Sequence, residues 1–275
     1  MPGGPDNPEV KEEIGTPVPF RFHPRVFAAL GADLVTSDLV AVIELVKNSY
    51  DAFAPRVDVR FLRDGVGKLY LEIEDNGLGM NDKTIENVWC VVATPFRVEN
   101  PTSERQTGGE KKQRRVSGAK GLGRLSVARL GEKLELFTKQ RGGKAWNVTV
   151  DWNKLADADD LEHCTAFMRQ AVASEFSHEA GTLLRVTRLH SDWPENEIDE
   201  LADGLSRLKP PFKQLGDFTV FLTDTRNSEL PVEIKTSKFI DNPVYQIKGK
   251  ITESGFLSYH YNYQPYSGKN RLAAR

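Results

Sequence analysis

The chain has 275 residues, enough for one large domain or two modest ones, and its 39% hydrophobic and 28% charged side chains exclude a disordered or membrane-spanning composition. Thirty-seven basic against 39 acidic side chains leave a formal net charge of −2, so no global field favours nucleic acid or a membrane surface. Two distant cysteines, Cys90 and Cys164, form no CxxC pair, which argues against a disulfide scaffold or zinc ribbon and fits a reducing, cytoplasmic setting.

Along the chain, residues 1–16 read as a flexible, polar lead-in and not as a signal peptide. A first helix follows His23-Pro24, with Val26, Phe27 and Leu30 on one face. Thr36 or Ser37 then supplies an N-cap for a helix from Leu39 to Phe53, stopped by Pro55. Two alternating runs, Val57–Leu62 and Leu69–Glu74, flank the turn residues Asp64-Gly65-Val66-Gly67 and predict a hairpin. Asn81 caps a helix expected to reach about Val92. Residues 93–120 show no apolar period, and a loop of that length is functional or disordered. A helix over Leu122–Leu130, strands over Lys133–Thr138 and Ala145–Trp152, and an ambiguous stretch at 153–180 follow. Thr182–Leu189 reads as a strand and Glu195–Leu208 as a helix. Short strands then dominate: Phe218–Leu222, Val232–Thr236, Val244–Ile251 and Gly255–Tyr263. The change of texture at Lys209-Pro210-Pro211 marks an expected domain boundary.

Three elements carry chemistry. On the long helix, Glu44, Asn48 and Asp51 fall at i, i+4 and i+7, so two carboxylates and a carboxamide share one face opposite Val42, Leu45 and Val46. Such groups on a largely buried helix are costly unless they meet partners or a ligand. Next, Glu74-Asp75-Asn76-Gly77-Leu78-Gly79-Met80 ends a strand in a carboxylate followed by two glycines that permit a close approach to something flat. Asp75 there is placed to accept a hydrogen bond from an amino group. Finally, Ser117-Gly118-Ala119-Lys120-Gly121-Leu122-Gly123-Arg124 enters a helix with three glycines, exposing N–H groups that cradle phosphate. It matches neither a Walker A sequence nor a Rossmann fingerprint.

Together these elements resemble the GHKL ATPases (gyrase, the large heat-shock chaperones, histidine kinases and MutL), with the MORC proteins close by. The pattern E-x-x-x-N-x-x-D-A is matched by Glu44, Asn48, Asp51 and Ala52, D-x-G-x-G by Asp75, Gly77 and Gly79, the lid-flanking glycines by Gly118 to Gly123, and a late G-T by Gly181-Thr182. The resemblance covers roughly residues 20–189. It implies an α+β fold, a two-layer sandwich of mixed, mostly antiparallel sheet with helices on one face, followed by the start of a strand-rich second domain.

The resemblance also implies roles. Glu44 would be the general base toward the attacking water and Asn48 the Mg²⁺ ligand. Asp75 would read the adenine amino group, supported by Thr182 through a water. Asp51, Gly77, Gly79 and Met80 would line the nucleotide, while Gly118, Lys120, Gly121, Leu122, Gly123 and Arg124 would hold the phosphates of ATP. The expected division is a lead-in at 1–16, an ATP-binding domain at 17–208 with a lid at 93–120, and a transducer-like unit at 209–275. Slow hydrolysis coupled to lid closure and homodimerisation follows from the resemblance. Competing readings are a histidine-kinase-like phosphotransferase and a binding-only nucleotide switch. The basic run Lys111-Lys112-Gln113-Arg114-Arg115 reads as a solvated lid, with phosphate or nucleic-acid contact as its sharper alternative. Arg207 and Lys209 are positional candidates for a cation reaching the γ-phosphate. The chain reads as an N-terminal module whose effector or partner lies elsewhere.

Overall fold

The structure is a computed structural model and describes residues 35–91, 102–107, 110–115, 123–156, 164–172, 175–176, 178–208, 218–235 and 244–263. The lead-in at 1–16, the helix after Pro24, the glycines from Gly118 to Gly121 with Lys120 and Leu122, and the candidate Lys209 lie outside the described residues. Helix α1 (Asp38–Asp51) begins where the Ser37 hydroxyl accepts the Val40 N–H at 3.3 Å, with Asp38 complementing the positive end of the helix. It stops at Asp51, before Phe53, because Phe53 turns left-handed with φ 62°. Strands β1 (Arg56–Arg63) and β2 (Leu69–Asp75) form the expected antiparallel hairpin.

Two sequence expectations fail next. Asn81 does cap a helix, accepting the Thr84 N–H at 2.8 Å, but α2 (Asp82–Thr84) passes at once into a π-helical turn, Ile85–Trp89, closed by Cys90 N–H on the Ile85 carbonyl. The expected structureless segment 93–120 contains the antiparallel hairpin β3 (Thr102–Thr107) and β4 (Glu110–Arg115). Its strands are polar throughout, so no apolar alternation announced them. The turn signal was Gly108-Gly109 between them.

A 3₁₀ turn, Gly123–Ser126, leads into α3 (Val127–Leu130), in place of one continuous helix from Leu122. Strands β5 (Gly131–Lys139) and β6 (Ala145–Asp151) match the expected pair, and the ambiguous stretch resolves into α4 (Trp152–Ala156) and β7 (Phe167–Gln170). Then come β8 (Gly181–Leu189), α5 (Glu195–Ser206), β9 (Thr219–Asp224), β10 (Ser228–Glu233), β11 (Tyr245–Ile251) and β12 (Leu257–Tyr263).

Eight strands make one sheet in the order β10-β9-β1-β2-β8-β5-β6-β7, antiparallel except where β9 runs parallel to β1. This is the mixed, mostly antiparallel α+β sandwich expected. Its core joins Val42, Leu45 and Val46 of α1, Leu201 and Leu205 of α5, and Val127 and Leu130 of α3 to Leu71, Ile73, Leu134, Leu136 and Val186 on one face of the sheet. Each such side chain contributes about 1.5–3 kcal/mol by leaving water. The sheet does not end at the boundary drawn at residue 209: Val220 and Leu222 of β9 are buried in this same core, and β10 pairs with β9. What stands apart is the two-stranded pair β11–β12. Its register puts Tyr245, Ile247, Gly249 and Ile251 opposite Tyr263, Tyr261, Tyr259 and Leu257 on one face, and Gln246, Lys248 and Lys250 opposite Asn262, His260 and Ser258 on the other.

Candidate functional site

The register of the central strands aligns three side chains in a row. Asp75 of β2 faces Thr182 of β8, and Thr182 faces Thr138 of β5. Because residues alternate between faces, this row shares the core-facing side with Leu71, Ile73, Leu134 and Leu136, at the end of the sheet beside α1. Asp75 is only 6% exposed. Its Oδ2 accepts the Ser49 hydroxyl of α1 at 2.9 Å, its Oδ1 accepts the Gly77 N–H at 2.9 Å, and the Thr182 N–H adds a third bond. Burial nonetheless outweighs these neutral donors and pushes its pKa up to about 6, with the neighbouring Glu74 charge acting in the same direction.

The glycines after Asp75 serve this packing. A Cβ at Gly79, whose φ is +63°, would lie 1.9 Å from the Lys139 carbonyl oxygen, and one at Gly77 would lie 2.6 Å from that of Ala52. The close approach anticipated from the sequence is thus made first to the protein's own backbone. Leu78 N–H bonds the Ala52 carbonyl at 2.8 Å, which ties the loop to the end of α1. Met80 N–H bonds Thr138 Oγ1 at 2.9 Å, which ties it to β5.

On α1, Glu44 and Asn48 are half-buried, whereas Asp51 is buried, so the expected polar stripe is not uniformly open. Glu44 Oε1 is held by Lys47 Nζ at 2.7 Å. No hydrogen bond from the described residues engages the Asn48 carboxamide, which leaves its oxygen available to a ligand. Among the described residues no cluster of three or more His, Cys, Asp or Glu side chains forms a metal cage. The carboxamide oxygen of Asn48 and the carboxylate of Glu44 are hard oxygen donors, the chemistry that a hard cation such as Mg²⁺ takes. Gly123 and Arg124 open the 3₁₀ turn before α3.

A family model for histidine kinase-, DNA gyrase B- and HSP90-like ATPases matches residues 35–182, more than half of the chain. The chain belongs to that family. No curated protein matches it. The matched span of this ATPase domain, an ATP-binding fold, contains α1, the Asp75 loop and Thr182, the elements brought together around Asp75.

Three residues around Asp75 and the end of α1 escaped the sequence. Ser49 sits between motif residues and holds Asp75. Thr138 lies in a strand whose register alone brings it to Thr182. Arg114, expected in a solvated basic run, is 6% exposed: its Nη1 donates to the carbonyls of Tyr50 at 3.0 Å and Ala54 at 2.9 Å, and its guanidinium lies 4.5 Å from the ring centres of both Tyr50 and Phe53. The hairpin β3–β4 is therefore fastened to the C-terminal end of α1. No helix among the described residues is long and apolar enough to cross a membrane.

Proposed function

We propose that this domain binds ATP with its base at Asp75 and hydrolyses the γ-phosphate slowly, using Glu44 and Asn48 on the same helix. The observation that carries the reading is the buried Asp75, met by three neutral donors and no cation among them, joined through Ser49 to the helix that bears Glu44 and Asn48. A carboxylate takes about four hydrogen bonds, so an acceptor position remains for an amino group. Lys47 occupies Glu44 Oε1 and leaves Oε2 to orient water and take its proton. Asn48 would hold Mg²⁺ through its side-chain oxygen. The ion, when bound, supplies positive charge that offsets the charge on the phosphate oxygens. Gly118 to Gly123, with Lys120, would wrap the β- and γ-phosphates, and lid closure with homodimerisation belongs to the same proposal.

Glu44→Ala tests it. Nucleotide affinity should stay near wild type while phosphate release falls about 10²–10⁴-fold, because a base acts on water and hardly on ground-state binding. Unchanged release would remove Glu44 from the chemistry, and tight binding without release in the wild type would select the binding-only switch.

A further inference from the structure

Thr138 is fully buried and touches three groups: the Met80 N–H at 2.9 Å, the Gly181 carbonyl at 3.0 Å and the Thr182 hydroxyl at 3.1 Å. A hydroxyl has one proton and two acceptor lone pairs. Met80 N–H can only donate and the Gly181 carbonyl can only accept. All three contacts are hydrogen bonds in one arrangement alone: Thr138 gives its proton to Gly181 and accepts from both Met80 and Thr182. The Thr182 proton is thereby consumed inward. Thr182 is half-buried, and any further partner of its oxygen meets lone pairs. Beside it stands Asp75, which as a carboxylate also only accepts.

Resting on the reading that the nucleotide base lies at Asp75, we propose that Thr138 is a positioning residue for base specificity. By fixing Thr182 as an acceptor, it makes this end of the pocket take a base carrying an exocyclic amino group and refuse one carrying a carbonyl at the same position. With Thr138 silenced, the Thr182 hydroxyl rotates and can donate, so a carbonyl is no longer refused by both neighbours.

The test is calorimetric titration of the full chain with ATP and with inosine triphosphate, which carries a carbonyl in place of the amino group, both with Mg²⁺. Thr138→Val should lower the preference for ATP over inosine triphosphate about fivefold or more, the scale of one hydrogen bond gained or lost. Thr138→Ser, which keeps the hydroxyl, should retain the wild-type ratio. A merely structural Thr138 would lower Tm and weaken both nucleotides alike, and an unchanged ratio in Thr138→Val overturns the proposal. Should that variant not fold, Thr182→Val removes the acceptor while leaving Thr138 its bonds to Met80 and Gly181; an unchanged ratio there overturns it equally. Asp75→Asn separates the two layers of inference. If it collapses the ratio while the threonine variants do not, only the role of Thr138 fails. If no variant moves the ratio, the base is not read at Asp75 and the underlying reading falls as well.

Discussion

Two rows of side chains share strands β2, β8 and β5 on opposite faces of the sheet, three residues apart. On the open face, Arg60, Glu72, Arg185 and Glu135 alternate in charge across β1, β2, β8 and β5. Glu72 is 5% exposed and is met by Arg60 at 2.8 Å and Arg185 at 2.8 Å. On the core face, Asp75 is as deeply buried, but hydroxyl and amide donors surround it. One carboxylate is balanced by cations of the protein and is structural. The other is stabilised only in part, and its raised pKa records the shortfall. A buried acid whose bonds among the described residues come from neutral donors is the kind of group that marks a candidate functional site.

The largest expected effect separates the two. Glu72→Ala should cost about 1–3 kcal/mol of stability, read by thermal or denaturant unfolding, because it strips Arg60 and Arg185 of charged hydrogen bonds. ATP affinity should hardly change. Asp75→Asn should do the reverse and weaken ATP binding about tenfold or more; its remaining oxygen can keep the Gly77 N–H and the Ser49 hydroxyl can turn to accept from the new NH₂, so folding should lose less than binding does. Equal loss of affinity in both variants would erase the distinction between the rows.

A pH series sharpens the same contrast. The folded pKa of Asp75 lies at about 6, above the ordinary value of 3.8. Its contribution to folding stability is therefore complete below about pH 4 and is lost as pH rises through about 6. On the proposed reading ATP binding needs the ionised form and runs the other way: at pH 5 roughly a tenth of Asp75 is ionised, so affinity should fall about tenfold from pH 7 to pH 5. Asp75→Asn should flatten that part of the profile. A profile identical in wild type and variant would show that another group sets it.

Most of the proposed ATP site was legible because its motif residues are local. Glu44 and Asn48 share one helical face, and Asp75 closes a strand whose alternation was clear. The residues that support them were not, because they are joined by register. Thr138 is 58 residues from Met80 and 44 from Thr182, and nothing in its neighbourhood marks it. The parallel pairing of β9 with β1 was hidden likewise, which is why a boundary was drawn where the sheet continues. The β3–β4 hairpin was missed for a different reason: it buries an arginine and no apolar stripe, so a reading based on hydrophobic periodicity passes over it. A cleft of about 630 Å³ at the far ends of β2 and β8 was equally unannounced; its Arg188 and Arg226 are bound to Glu132 and Asp224, as in the structural row.

The smallest expected effect, that of Arg114→Lys, concerns the buried charge on the β3–β4 hairpin. Among the contacts of Arg114 are two backbone carbonyls and two ring faces. Its position at the end of α1 is favourable for a cation, since the last carbonyls of a helix carry partial negative charge. Phe53 helps to shape that end, holding φ 62° without glycine while its buried ring packs against the guanidinium. Arg114→Lys keeps the charge but loses the flat stacking surface, so it should cost about 0.5–1 kcal/mol, the scale of a cation–π contact. Arg114→Ala loses the carbonyl bonds too and should cost about 1–3 kcal/mol. Because the same helix carries Glu44 and Ser49, loosening its end should also lower turnover modestly in Arg114→Ala while ATP affinity stays near wild type. Stability and turnover unchanged in both variants would mean that the hairpin is not fastened to the helix through this arginine.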